Sequence, residues 1–149
     1  SPLFYNGGGG GQYLKSVLTV VPGNIIAVVV GTGGIAGTGV APVTANDGED
    51  TIFSILSASG GKGANLTSGG DGGSTGTGEI KINGQKGQSN QLGSPTTGGN
   101  TFGGHGGCVS ETGEIQLPIL GGGGGSTLVG GTSSIQAGSN GKIILTWFI

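Results

Sequence analysis

The sequence predicts a mainly β fold: antiparallel strands combined with packed polyglycine or polyproline-II-type extended helices, with no significant α-helix. Three observations predict it. Forty of the 149 residues are glycine. The glycines recur three apart, as in Gly31, Gly34 and Gly37 or Gly70, Gly73 and Gly76. The blocks they form alternate with short runs of apolar, β-forming residues. Three residues per turn is the period of the extended left-handed helix of polyproline and polyglycine. A side chain missing at every third position bares one edge of such a helix, so that a second backbone can lie against it. The same interval returns at Gly60/Gly63, Gly84/Gly87, Gly103/Gly106, Gly104/Gly107 and Gly138/Gly141.

The β-like segments follow in chain order. Residues 14–21 place Leu14, Leu18 and Val20 on one face at period two. Pro22-Gly23 then suits a type II turn, with proline at its second position and glycine at its third. Residues 24–30 are almost continuously apolar, as expected of a strand buried on both faces. The two segments together read as a hairpin. Further strands are expected over residues 51–58, 79–83, 115–120 and 142–149, where Trp147 and Phe148 should anchor a modest core. The glycine blocks are 7–11, 31–39, 60–78, 84–107 and 121–131. Helix is nearly excluded there, since each glycine costs about 1 kcal/mol against alanine in a helix interior.

Ordering so much glycine opposes folding. Fixing one backbone costs about 1–2 kcal/mol, and glycine loses the most freedom. If the glycine blocks are ordered, backbone hydrogen bonds between segments, with close Cα–H···O contacts, must help offset the loss. The alternative is flexible linkers, and the apolar residues interleaved throughout and the strong closing strand signal favour order.

Composition narrows the function. The length suits one domain, 1–149, and the chain is read as a single glycine-rich domain. Charged residues are 8% of the chain and the net charge is −2. There is no arginine, and Lys15, Lys62, Lys81, Lys86 and Lys142 are scattered, so no basic patch calls for nucleic acid. No apolar run reaches the roughly 18 residues of a membrane span, so membrane insertion is not expected. A single cysteine, Cys108, excludes an intrachain disulfide and leaves its redox state open.

Motifs that suggest chemistry lack their context. Gly31-Thr32-Gly33-Gly34-Ile35-Ala36 fits a dinucleotide-binding fingerprint, with Asp47, Glu49 and Asp50 near the distance of a ribose-binding acid. That fingerprint needs a helix to begin at its glycines, and Gly37-Thr38-Gly39-Val40-Ala41-Pro42 is not one. His105 and Cys108 are too few for a metal, and the acids nearest in sequence, Glu111 and Glu114, lie in the next segment. Asp47-Gly48-Glu49-Asp50 lacks calcium-loop spacing and reads as a solvated turn before the strand at Thr51. Asn65-Leu66-Thr67 is a glycosylation sequon whose use depends on the compartment. No catalytic, cofactor-binding or metal residues are assigned, and no enzyme is expected.

The order of segments carries a resemblance. Phe4-Tyr5-Asn6 runs into residues 7–11, followed by Val20-Val21-Pro22-Gly23 and Val30-Gly31-Thr32-Gly33-Gly34. Next come Gly48-Glu49-Asp50-Thr51-Ile52-Phe53, further glycine blocks, and a closing Gly141-Lys142-Ile143-Ile144-Leu145-Thr146-Trp147. This succession resembles the glycine-rich domain of bacteriophage tail fibres and related virion adhesins. The resemblance covers most of the chain. It implies strands leading into packed polyglycine-type helices, a place on the virion surface, and variable loops that contact a host. Two features depart from the pattern. The opening strand is cut to residues 3–6, as in a fragment missing its first strand, and residues 88–97 dilute the glycine with polar side chains.

The expected function is a non-enzymatic virion surface or tail-fibre protein, structural, receptor-binding or both, located on the virion surface outside the cell. Its partners would be other virion or fibre subunits and a host-surface glycan or protein. Candidate receptor contacts are Ser94, Pro95, Thr96, Thr97, Asn100, Thr101 and Phe102, from the longer non-glycine loops. Phe102 would offer an apolar face to a sugar ring, or else fill the core. Two other classes stand beside this one: a structural assembly protein of a capsid or filament, and an ice-binding protein with a flat, regular face.

Overall fold

The computed structural model describes residues 6–37, 45–65, 67–89, 95–109, 114–129 and 132–147. Sequence expectations for residues 3–5, Ser94, Glu111 and Phe148 lie outside them. The architecture is built outward from residues 6–12, whose backbone hydrogen bonds follow a strict period of three. Gly7 and Gly10 donate to the carbonyls of Gln88 and Gln85 at 2.9 Å. Gly8 and Gly11 donate to Gly124 and Gly121, and Gly9 and Gln12 donate to Lys62 and Ser59. In return the carbonyls of Gly7 and Gly10 accept from Gly70 and Gly73, and that of Gly8 accepts from Gly99. One short segment is thus bonded to five others. A β-strand alternates between two neighbours, whereas a helix with three residues per turn donates in three directions in succession.

The surrounding segments bond to one another by the same rule. Gly84 and Gly87 donate to Gly73 and Gly70, and Gln85 and Gln88 donate to Asn100 and Thr97. Gly98 donates to Gly107, and Gly107 donates to Gly123. On the other side, Ser139 donates to Gly122, Gly138 to Gly34, Glu49 to Thr32 and Gly48 to Gly61. Descending partner numbers mark antiparallel neighbours. The residue 68–77 segment instead runs parallel to residues 6–12, since Gly70 and Gly73 meet Gly7 and Gly10 in ascending order.

This packing has almost no side-chain core. The one buried hydrophobic residue among those described is Ala64. The interior is main chain, because the glycines allow backbones to touch. A methyl group on Gly9 would overlap the carbonyl of Asp71, one on Gly61 the carbonyl of Gly9, and one on Gly84 the carbonyl of Gly10. Polar side chains finish the interior where glycine runs out. Buried Gln12 accepts the Gly76 N–H at 2.9 Å through Oε1 and donates through Nε2 to Asn83 Oδ1 at 3.1 Å.

Alternating directions gather the connections at two ends. At the first, β1 (Tyr13–Lys15) pairs antiparallel with β5 (Ile80–Ile82), in register Leu14 with Lys81. Beside them, β2 (Val28–Val29), β3 (Thr51–Phe53) and β4 (Leu56–Ala58) form an antiparallel sheet in that order. At the opposite end stand two hairpins, β6 (Cys108–Val109) with β7 (Ile115–Gln116) and β8 (Ser126–Val129) with β9 (Thr132–Ile135).

Several strand expectations are corrected. The Pro22-Gly23 turn forms, with Gly23 at φ 92° and Asn24 N–H on the Val21 carbonyl at 3.1 Å. Its arms do not make the expected hairpin, because β1 joins β5 and β2 joins β3, drawing them into different sheets. Residues 24–30 are not buried on both faces: Ile25 is 98% exposed, and Val28, Val29 and Val30 are exposed too. Residues 51–58 fold back on themselves at Ser54, whose φ of 59° turns the chain between β3 and β4. Only Ile115–Gln116 of residues 115–120 pairs as a strand, and Pro118 further on has no N–H for a ladder. Among the described residues 142–147 there is no strand, and Trp147 is 79% exposed and anchors no core.

Candidate binding surfaces

The segment singled out from sequence is divided by the fold. Residues 96–100 run along the flank of the bundle, so Pro95 and Phe102 lie near opposite ends. Thr96 is 1% exposed and is the largest fully enclosed side chain among the described residues. Thr101 and Gly104 bridge across a tight turn, with Gly103 at φ 78°. Phe102 projects from that turn against Tyr13, with ring centroids 4.6 Å apart at 51°, and remains 58% exposed. It therefore extends the end that bears β1 to β5. Ser94 lies outside the described residues.

Thr97 and Asn100 instead line an open trough of about 490 Å3. Three neighbouring segments build it, contributing Gln85, Lys86 and Gln88, then Thr97, Gly98 and Asn100, then His105, Gly106 and Cys108, with Gln116 at one edge. The period of three explains the membership. Residues three apart share an edge of the extended helix and are separated by about 9 Å along it. The antiparallel pairing then stacks the side chains into two rungs. Gln85, Asn100 and His105 share one level, fixed by the Gln85 N–H on the Asn100 carbonyl and the Gly106 N–H on Asn100 Oδ1, both 2.8 Å. Gln88, Thr97 and Cys108 share the other, fixed by the Gln88 N–H on the Thr97 carbonyl and the Gly98 N–H on the Gly107 carbonyl, both 2.9 Å.

The same geometry disposes of the His105–Cys108 pair as joint ligands or a nucleophile pair. They sit on one edge, but about one 9 Å helical repeat apart. His105 Nδ1 lies 3.1 Å from the Gly106 carbonyl, and Cys108 Sγ is 3.3 Å from Gln116 Oε1. No group of three or more metal-ligating side chains exists among the described residues.

The acidic run is also reassigned. Residues 45–49 are solvated as expected, with Asp47, Glu49 and Asp50 exposed, but they form a segment of the bundle instead of a turn, with Gly48 donating to Gly61 and Glu49 to Thr32. Its carboxylates accept backbone N–H groups that lack a carbonyl partner. Asp47 takes the Gly63 N–H at 2.7 Å and pairs with Lys62 at 2.9 Å, Asp50 takes the Gly60 N–H at 3.0 Å, and Glu49 takes the Thr32 hydroxyl at 2.8 Å. The Gly63 hydrogen bond, reinforced by Lys62, holds Asp47 below the usual carboxylate range. The two bonds from Thr32 do the same for Glu49. The fingerprint-like glycines at 31–34 belong to this packing as well: methyl groups on Gly31 and Gly34 would overlap the carbonyls of Glu49 and Asn46.

The end that bears β1 to β5 exposes many large apolar side chains. Val17, Val20, Val21, Ile25, Ile55 and Ile144 are all exposed, as is Trp147. No charged residue occurs between Lys15 and Asp47. Sequence reasoning expected two of these side chains, Ile25 and Trp147, to be buried. The missed signal is that the glycine bundle fills the interior by itself and leaves no room for them.

A family model described as a glycine-rich domain matches residues 2–148. No curated protein matches the chain.

Proposed function

The chain belongs to the glycine-rich domain family, and we propose that it is a non-enzymatic domain of a virion surface or tail-fibre protein with a structural and host-contacting role. The observation that carries this reading is the main-chain interior. A bundle held by backbone hydrogen bonds leaves nearly every side chain outside it free to vary, a property suited to a surface selected for changing contacts. Host contact would use the side chains on the flank and ends, with a surface glycan or protein as partner. The end that bears β1 to β5 would face other fibre subunits, because a large exposed apolar patch is tolerated where a neighbouring subunit covers it. The test is competition. Purified domain in excess should slow adsorption of the parent particle to its host, and mass spectrometry should find the polypeptide in purified particles. Undiminished adsorption together with absence from particles would reject the reading.

The exposed apolar end favours a second reading, a purely structural assembly role. In that case the polypeptide is found in particles, yet the free domain does not compete for the host.

A further inference from the structure

We propose that the flank trough binds an acidic oligosaccharide, with hydroxyl and carboxylate groups of successive sugar units meeting its two rungs. The proposal does not rest on the virion reading. It rests on which polar atoms remain available. The Thr97 N–H donates to Gln88 Oε1 at 3.2 Å and the Gly106 N–H donates to Asn100 Oδ1 at 2.8 Å. A backbone N–H can only donate, so these contacts fix the amide oxygens against the bundle. The amide nitrogens of Gln88 and Asn100 donate to no group among the described residues. The Gln85 side chain makes no hydrogen bond among them at all. The lining holds one lysine, Lys86, whose exposed ammonium pairs with Asp71 at 3.0 Å and keeps two further N–H donors, and no carboxylate.

A trough rich in N–H donors selects a ligand rich in acceptors, and charge-assisted bonds from Lys86 favour a carboxylate among them. One acceptor complements the donors. The Gly106 carbonyl can only accept, so His105 Nδ1 is the donor in that contact, and in the neutral ring Nε2 accepts from a sugar hydroxyl. Size and repeat also suit an extended chain. The volume of about 490 Å3 falls in the range of small-ligand sites. The rungs lie about 9 Å apart along the bundle, so a ligand that touches both must be longer than one sugar ring.

The experiment uses the full chain, labelled for amide NMR and titrated with galacturonate trimer or, in parallel, with neutral maltotriose. The uronate should shift the resonances of Gln85, Gln88, Asn100 and His105 saturably, with at least about tenfold weaker binding of the neutral trimer. Lys86→Gln and Gln85→Ala should each weaken uronate binding by about tenfold and leave the rest of the spectrum in place. Lys86 meets only exposed Asp71, so neither substitution removes a buried contact. Equal binding of both trimers, no saturable shifts at these residues, or variants that bind like the parent would each overturn the proposal.

Discussion

At the scale of single residues, the fold distinguishes glycines that a sequence cannot. Gly8 and Gly9 are chemically identical neighbours in the same segment. A methyl group on Gly9 would overlap the Asp71 carbonyl, whereas on Gly8 its nearest neighbour is the Gly124 nitrogen at 3.6 Å, an ordinary contact. Gly9→Ala is therefore expected to lose about 3 kcal/mol or more, since rigid main chain must move. Gly8→Ala should fall within about 1 kcal/mol of the parent in either direction, helped by the reduced freedom of the unfolded chain. Urea denaturation of the two variants checks this, and similar midpoints would refute the packing described. Gln12→Ala should cost about 1–3 kcal/mol in the same assay, because the Gly76 N–H loses its buried acceptor. Six of the seven residues proposed as contacts are described, and the same fine geometry sorts them. Thr97 and Asn100 line the trough and Thr96 is enclosed, although Thr96 and Thr97 are adjacent and alike. Which of three edges a residue occupies depends on the register of its segment, and composition carries no register.

At the scale of elements, the period-three helices were legible and the strands less so. The interval at Gly31/Gly34, Gly60/Gly63, Gly70/Gly73 and Gly84/Gly87 marks positions where the bundle places backbone against backbone. The pair Gly103/Gly106 shows how the interval misleads, since Gly103 serves a turn at φ 78° with open space around it. Strand identity failed where apolar pattern was taken for burial, as at residues 24–30 and 142–147. The acidic element makes its own prediction. Asp47 and Glu49 have folded-state pKa values lowered from 3.8 and 4.5. Each therefore contributes stability that is fully present above those values and is lost as pH falls through the lower folded ones. Stability should drop with acid from about pH 4.5 downward, and Asp47→Asn should flatten that slope. A variant that follows the parent curve between pH 2 and pH 5 would show that the Gly63 contact is not formed.

For the whole molecule, burying main chain instead of hydrocarbon changes the thermodynamics of unfolding. Exposing apolar surface raises the heat capacity, and exposing polar surface lowers it. Here unfolding exposes peptide groups from the interior, while many large apolar side chains are already in water. Calorimetry should find a heat-capacity increment well below the usual ~12–15 cal/mol/K per residue. An ordinary increment would mean that the apolar end is buried in solution. The residue 6–12 segment has a further consequence, for synthesis. It is made before the segments that it binds, and Gly8 and Gly11 must wait for Gly124 and Gly121. Until then the hub of the molecule has no spokes on that side. A nascent chain halted before residue 121 would lack one of the five partners of this segment, and protease should digest it faster than the chain that includes residues 121–124.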